Sequence, residues 1–239
     1  MLAGSIGDLV SPACPADVLI LGFAMPDVWP ERATATFLSD ACPGHPLAFA
    51  VCDQGCAVGF TALRLARDYA AGGGCRRVLV ALAEQTRLDY DPPAPARVPA
   101  RHAAFAMLCE ARPAPAPIAG GPGQDGGPLL AAVRVLPGVA AGQVPALLRR
   151  ELADRPATEP GEEKRLLVLG EGLAPLAGGD RPGWRSVPLP PGQPLTGVWR
   201  ELAAWSAGPR RGSLVIADYD PGLRYLCLAG FLPGVLGAD

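Results

Sequence analysis

Short apolar runs bounded by turn formers dominate this sequence, and stretches with helical spacing lie between most of them. Residues 16–24 (ADVLILGFA), 46–52 (PLAFAVC), 76–84 (RRVLVALAE) and 103–109 (AAFAMLC) are runs of this kind. They are apolar at successive positions, which marks strands buried on both faces. Residues 31–40 and 57–71 read as helices. In the second, Phe60, Leu63, Ala66 and Ala70 share one face and Arg64, Arg67 and Asp68 the other. Gly72-Gly73-Gly74 stops that helix.

The second half repeats the plan. Strands are expected at 129–136, 165–170, 186–189, 213–219 and 223–231, and helices at 141–154 and 195–206. Between the halves, residues 113–128 are dominated by Pro and Gly and read as a linker. The expected organisation is an α/β layered fold of two pseudo-repeated halves, 1–112 and 129–239.

Composition removes several functions. Net charge is −2 and no basic stripe exists, so nucleic acid is not an expected partner. No apolar run is long enough to span a membrane, and the N-terminus lacks the pattern of a signal peptide. A cytoplasmic protein with reduced cysteines is expected. The seven cysteines contain no CxxC pair and only His45 and His102 accompany them, which argues against structural zinc. Asp53, Asp218 and Asp220 match no metal-binding loop and read as turn aspartates. Nothing calls for a cofactor.

One turn carries chemistry. The second run ends in Cys52-Asp53-Gln54-Gly55-Cys56, directly before the 57–71 helix. Cys52 itself reads as core. Thioester chemistry needs a nucleophile that is also a good leaving group, and a thiolate is both. A helix N-terminus favours the thiolate, and the Cys56 N–H is a candidate oxyanion donor. The competing reading is a buried structural thiol.

Residues 17–112 resemble the N-terminal half of ketosynthase III enzymes, in the thiolase-like superfamily. The resemblance is carried by Phe23-Ala24-Met25-Pro26-Asp27 after the first strand and by Cys56-Ala57-Val58-Gly59-Phe60 at the nucleophile turn. The following helix, glycine turn and strand ending in Glu84 fit as well. Arg211-Gly212-Ser213-Leu214-Val215-Ile216 and Asp220-Pro221-Gly222-Leu223-Arg224-Tyr225 resemble a late strand and a glycine-rich loop of the family, more faintly.

The departures are as informative. Family members begin with an additional segment that includes a strand, and this sequence starts after it. The family's His-Gln-Ala-Asn motif falls on Val168-Leu169-Gly170-Glu171-Gly172, with no histidine. Its Gly-Asn-Thr motif falls on Gly192-Gln193-Pro194, with no asparagine, and its Gly-Asp-Gly-Ala motif on Arg101-His102-Ala103-Ala104. Pro221 has no N–H to offer an oxyanion. Of the Cys-His-Asn triad only Cys56 is matched.

Substitute bases are few. His102 follows a proline-rich loop, and the alternative is an exposed loop histidine. Glu171 stands where the family histidine is lost; it is a base only if burial raises its pKa, and otherwise a surface glutamate. His45 reads as a turn residue. The resemblance implies an acyltransferase, or another acyl-thioester-processing protein, that takes an acyl group from coenzyme A or a carrier protein onto Cys56. Polyketide or other specialised metabolism is the implied setting. The alternative is a catalytically degenerate subunit that dimerises with a complete ketosynthase-like chain. The resemblance implies a homodimer, or a heterodimer with a ketosynthase-like chain, formed by pairing Nβ3-type strands across a two-fold axis.

Overall fold

The computed structural model describes residues 6–7, 9–25, 33–88, 90–91, 96–111, 129–153, 165–177, 181–208 and 212–233. The linker expected at 113–128 lies outside them. The elements are β1 (Val18–Phe23), α1 (Thr34–Asp40), β2 (Leu47–Val51), α2 (Ala57–Ala71), β3 (Arg77–Glu84) and β4 (Ala103–Glu110). Then come β5 (Leu129–Leu136), a 3-10 turn (Ala141–Gln143) running into α3 (Val144–Ala153), β6 (Arg165–Leu169), α4 (Ala174–Ala177), β7 (Trp184–Pro188), α5 (Gly197–Ala207), β8 (Leu214–Asp220) and β9 (Tyr225–Leu232).

Two sheets form, ordered β2-β1-β3-β4 and β5-β9-β8-β6-β7. Read from the β7 edge, the second repeats the first. The pairs β1–β2 and β6–β7 are parallel, as are β1–β3 and β6–β8, and β3–β4 and β8–β9 are antiparallel. The second sheet alone carries a fifth strand, β5, antiparallel to β9.

Strand alternation explains the layering. Val18 and Ile20 of β1, Val78, Val80 and Leu82 of β3, Leu214 and Ile216 of β8, and Cys227, Ala229 and Phe231 of β9 face a central layer. That layer is filled by α2 and α5, with Phe60 and Trp199 in ring contact at 5.0 Å between centroids. The intervening residues face outward. Leu19, Leu21, Leu79 and Ala81 pack with Leu38 of α1. Leu167, Leu169, Val215 and Ala217 pack under Leu148 and Leu152 of α3. Each central strand is therefore covered on both faces, which is why its sequence is apolar throughout. The result is the α/β layered architecture expected of the sequence.

One expected burial is corrected. β2 is not a buried strand: Leu47 is 61% exposed and Ala50 is also exposed. It forms one edge of its sheet, so its apolar residues face solvent there.

Candidate functional site

The turn after β2 is held by two left-handed residues, Asp53 at φ 59° and Gly55 at φ 52°. They reverse the chain and place Cys56 at the first turn of α2, with φ −65° and ψ −19°. Thr61 Oγ1 pins the turn by donating to Gln54 Oε1 at 2.6 Å. Cys52 lies just beyond β2, half-buried, with its S–H turned to Asp53 Oδ2 at 3.3 Å, and is not core.

β8 and β9 supply the other wall. Even-numbered residues of β8 face the central layer, so Asp218 and Asp220 continue the face of Leu214 and Ile216 toward Cys56. Cys227 lies opposite Asp218 in register. Asp218 is 2% exposed and Asp220 9%, which corrects the reading of both as turn aspartates on the surface. The period of two in β8 is the sequence signal for this placement.

Each aspartate is tied down. Asp218 Oδ1 accepts the N–H groups of Tyr219 at 2.7 Å and Gly172 at 3.2 Å. Asp220 Oδ1 accepts those of Gly222 at 3.0 Å and Leu223 at 2.9 Å, closing the β8–β9 hairpin. Its Oδ2 lies 3.4 Å from the Cys56 nitrogen and accepts that N–H. A Cβ on Gly55 would overlap the same carboxylate, so only glycine fits there.

This setting works against a thiolate. The Cys56 thiol is pushed well above its ordinary range, first by its hydrogen bond with Cys227 and then by burial; the charges of Asp218 and Asp220 add to the shift. The direction is opposite to the lowering expected of a helix end, because the hydrogen bond with Cys227 and burial come first and the nearby carboxylates act in the same sense. Burial also pushes Asp218 up to about 7, although the N–H groups of Tyr219 and Gly172 favour its charged form.

The two candidate bases sit elsewhere in the hydrogen-bond network. Both ring nitrogens of exposed His102 meet Thr86, its N–H and Oγ1 each at 3.3 Å. Glu171 is not a surface glutamate, since its side chain is 10% exposed. Its Oε2 accepts the N–H groups of Gly192 at 2.6 Å and Gln193 at 3.1 Å, and its Oε1 pairs with Arg97 at 3.3 Å. His45 is an exposed turn residue, at φ 46° and 3.7 Å from Asp40.

Glu84, the last residue of β3, is a centre that sequence reasoning missed. Its carboxylate accepts the N–H groups of Leu195 at 2.7 Å and Thr196 at 2.9 Å, the Thr196 hydroxyl, and Gln193 Nε2 at 3.2 Å. Burial pushes its pKa up against the pull of these donors. Gln193 also donates to the Arg101 carbonyl and accepts from Arg101 Nε at 2.7 Å. The positions where the resemblance places the family's histidine and asparagine thus hold Glu171 and Gln193, and both are engaged in fixing the 192–196 loop.

A cavity of about 240 Å3 opens beside this loop network, at the carboxyl ends of β1 and β3. Phe23, Met25, Glu84, Arg97, Pro99 and Ala104 line it, and Cys56 does not. Among the described residues no group of three or more His, Cys, Asp or Glu side chains is placed to hold a metal ion, and no helix is long and apolar enough to cross a membrane.

No protein-family model and no curated protein sequence matches the chain. Solved structures do. A tetronic acid condensing enzyme superposes with a TM-score of 0.61 at 15% identity, over 91% of this chain and 80% of the other. The 3-oxoacyl-acyl-carrier-protein synthase III of Aquifex aeolicus gives 0.60 at 14% identity, over 91% and 77%. An acyltransferase gives 0.58 at 18% identity, over 93% and 79%. The chain shares the fold of these condensing enzymes and acyltransferases. At these identities the likeness establishes architecture, and chemistry is argued from the site.

Proposed function

We propose that this chain is a catalytically degenerate ketosynthase III-like subunit. It works beside a complete ketosynthase-like chain on acyl-coenzyme A or acyl-carrier-protein thioesters, in polyketide or other specialised metabolism. The observation that carries the reading is the Asp220 carboxylate on the Cys56 N–H. Thioester attack develops negative charge on the carbonyl oxygen, and the donor that would receive it already faces a negative group. The thiol beside it is held neutral, and the His102 ring is engaged with Thr86. Glu171 and Gln193 serve the loop they brace.

The exposed edge of β2 supports the partnership. Leu47 is 61% exposed on a five-residue apolar strand, and the strand stands directly before the Cys56 turn. Pairing there with the equivalent strand of a complete chain buries that surface and sets the two turns close together.

A second reading has one observation in its favour: Cys56 opens a fifteen-residue helix, whose positive end stabilises an anion. In that reading Cys56 is the acyl acceptor, and Asp220 and Asp218 are displaced or neutral when it reacts.

Co-expression with a complete ketosynthase-like chain, followed by intact-mass analysis after exposure to acyl-coenzyme A and acyl-carrier protein, separates the two. The first reading expects a complex whose acyl adduct lies on the other chain and persists with Cys56→Ala. An adduct on this chain that disappears in Cys56→Ala establishes the second.

A further inference from the structure

The carboxyl end of β3 carries a row of small residues. Phe23, Ala83 and Ala104 stand side by side in register across β1, β3 and β4. Phe23 and Ala83 continue the outward faces of Leu21 and Ala81, so the row looks away from the central layer. Two alanines beside a phenylalanine leave room, and the cavity of about 240 Å3 lies there. Leu21, Phe23, Met25, Ala83, Pro99 and Ala104 make its walls apolar. Among the described lining residues Arg97 is the only cation. We propose that this cavity binds a small aliphatic carboxylic acid as its anion, with the chain against the Phe23–Ala83–Ala104 row and the carboxylate on Arg97.

Arg97 is prepared for such a ligand. Its Nη1 is turned to the Glu171-Gly172 turn. It donates to Glu171 Oε1 at 3.3 Å, and a Cβ on Gly172 would stand 3.0 Å from it. Among the described residues the Arg97 Nε and Nη2 meet no acceptor, and the side chain is 35% exposed. These two nitrogens form one edge of the guanidinium. Two parallel N–H groups on one edge match the two oxygens of a carboxylate. Glu171 therefore stays in place when the ligand arrives. The segment that carries Arg97 is also held: Ala100 N–H donates to the Gly192 carbonyl at 2.8 Å, and Arg101 Nε to Gln193 Oε1 at 2.7 Å. Little ordering is left for binding to supply.

The other charged groups narrow the choice. Glu84 lines the cavity, but its oxygens accept from Gln193, Leu195 and Thr196. Glu171 Oε2 accepts from Gly192 and Gln193. Both carboxylates are engaged by the 192–196 loop, which leaves Arg97 as the charged group open to a ligand. The volume is below the usual range for ligand pockets of about 300–1,000 Å3, so the chain is short. Cys56 does not line the cavity, so the inference stands apart from whether Cys56 reacts and from which subunit carries an acyl group.

Isotope-labelled methionine methyl groups report on the site by NMR. Met25 lines the cavity, whereas Met107 packs against the central layer on the other face of the sheet. The full chain is titrated with sodium butanoate, hexanoate and octanoate below their micelle concentrations. The Met25 methyl resonance is expected to shift saturably and that of Met107 to stay in place. Binding is expected to tighten about fourfold with each added methylene until the cavity is full. The alcohols and methyl esters of the same chains are expected to bind about tenfold more weakly, a comparison that needs no variant. Arg97→Gln is expected to bring the carboxylates down to the level of the alcohols. The proposal is overturned by absence of a saturable Met25 shift, by an equal shift at Met107, by equal affinity for acid and alcohol, or by undiminished carboxylate binding to a folded Arg97→Gln.

Discussion

The Cys56 backbone N–H and the Asp220 carboxylate stand 3.4 Å apart across 164 residues of sequence, joining the opening turn of α2 to the end of β8. The contact ties the two pseudo-repeated halves together, and it places negative charge beside the one residue with a nucleophilic pedigree. Removing the charge while keeping the shape is therefore informative. Asp220→Asn retains an oxygen for Gly222 and Leu223 and removes one of the charges that hold the thiol neutral. Alkylation of Cys56 by iodoacetamide is expected to be slow in the native protein and faster in Asp220→Asn, since removing a neighbouring negative charge lowers the thiol pKa and raises the thiolate fraction. Exposed Cys14 serves as the internal reference. Fast labelling of Cys56 in the unmodified protein would contradict the neutral-thiol setting.

Asp218 makes stability depend on pH. Its folded pKa, about 7, lies above the ordinary value of 3.8. The folded protein therefore holds this proton more tightly than the unfolded chain. The contribution is fully present below pH 3.8 and is lost as pH rises toward 7, levelling above that. Asp218→Asn removes the dependence. The difference in unfolding free energy between variant and native protein is expected to change in favour of the variant by roughly 1 kcal/mol per pH unit between pH 5 and 7. Denaturant titrations at several pH values measure it, and parallel pH profiles for the two proteins would refute it.

Glu84 braces the entry to α5 through three backbone or side-chain donors of Leu195 and Thr196 and a fourth from Gln193. Glu84→Ala leaves buried donors without an acceptor and is expected to cost roughly 2–4 kcal/mol of stability. Glu84→Gln keeps an acceptor oxygen and is expected to cost less than half as much. Equal losses in chemical denaturation would show that the carboxylate acts by charge and not by hydrogen bonding.

Gly59 sets the spacing of the central layer. A Cβ there would stand 2.5–2.7 Å from the Trp199 indole, between α2 and α5. Gly59→Ala raises helix propensity, yet overpacking of the interface is expected to dominate and destabilise by about 1–3 kcal/mol. A thermal midpoint at or above that of the native protein would show that the two helices can separate without penalty.

The sequence by itself determined the strands, the two-half plan and the turn at Cys56. Those features are local: continuous apolar runs, helical spacing in Phe60, Leu63 and Ala66, and glycine punctuation need no partner to be read. Burial of β2 was misjudged because an edge strand and a central strand share the same composition, and only the pairing order distinguishes them. The tertiary structure decided the electrostatics of the site. Cys56 and Asp220 are brought together by β8 crossing under α2. Glu171 meets Gly192 and Gln193 because the 192–196 loop folds back over the end of β6. A thiol at a helix N-terminus has a sign of pKa shift that depends on what faces it. Here burial and the approach of Cys227, Asp218 and Asp220, from strands far away in the chain, push it upward.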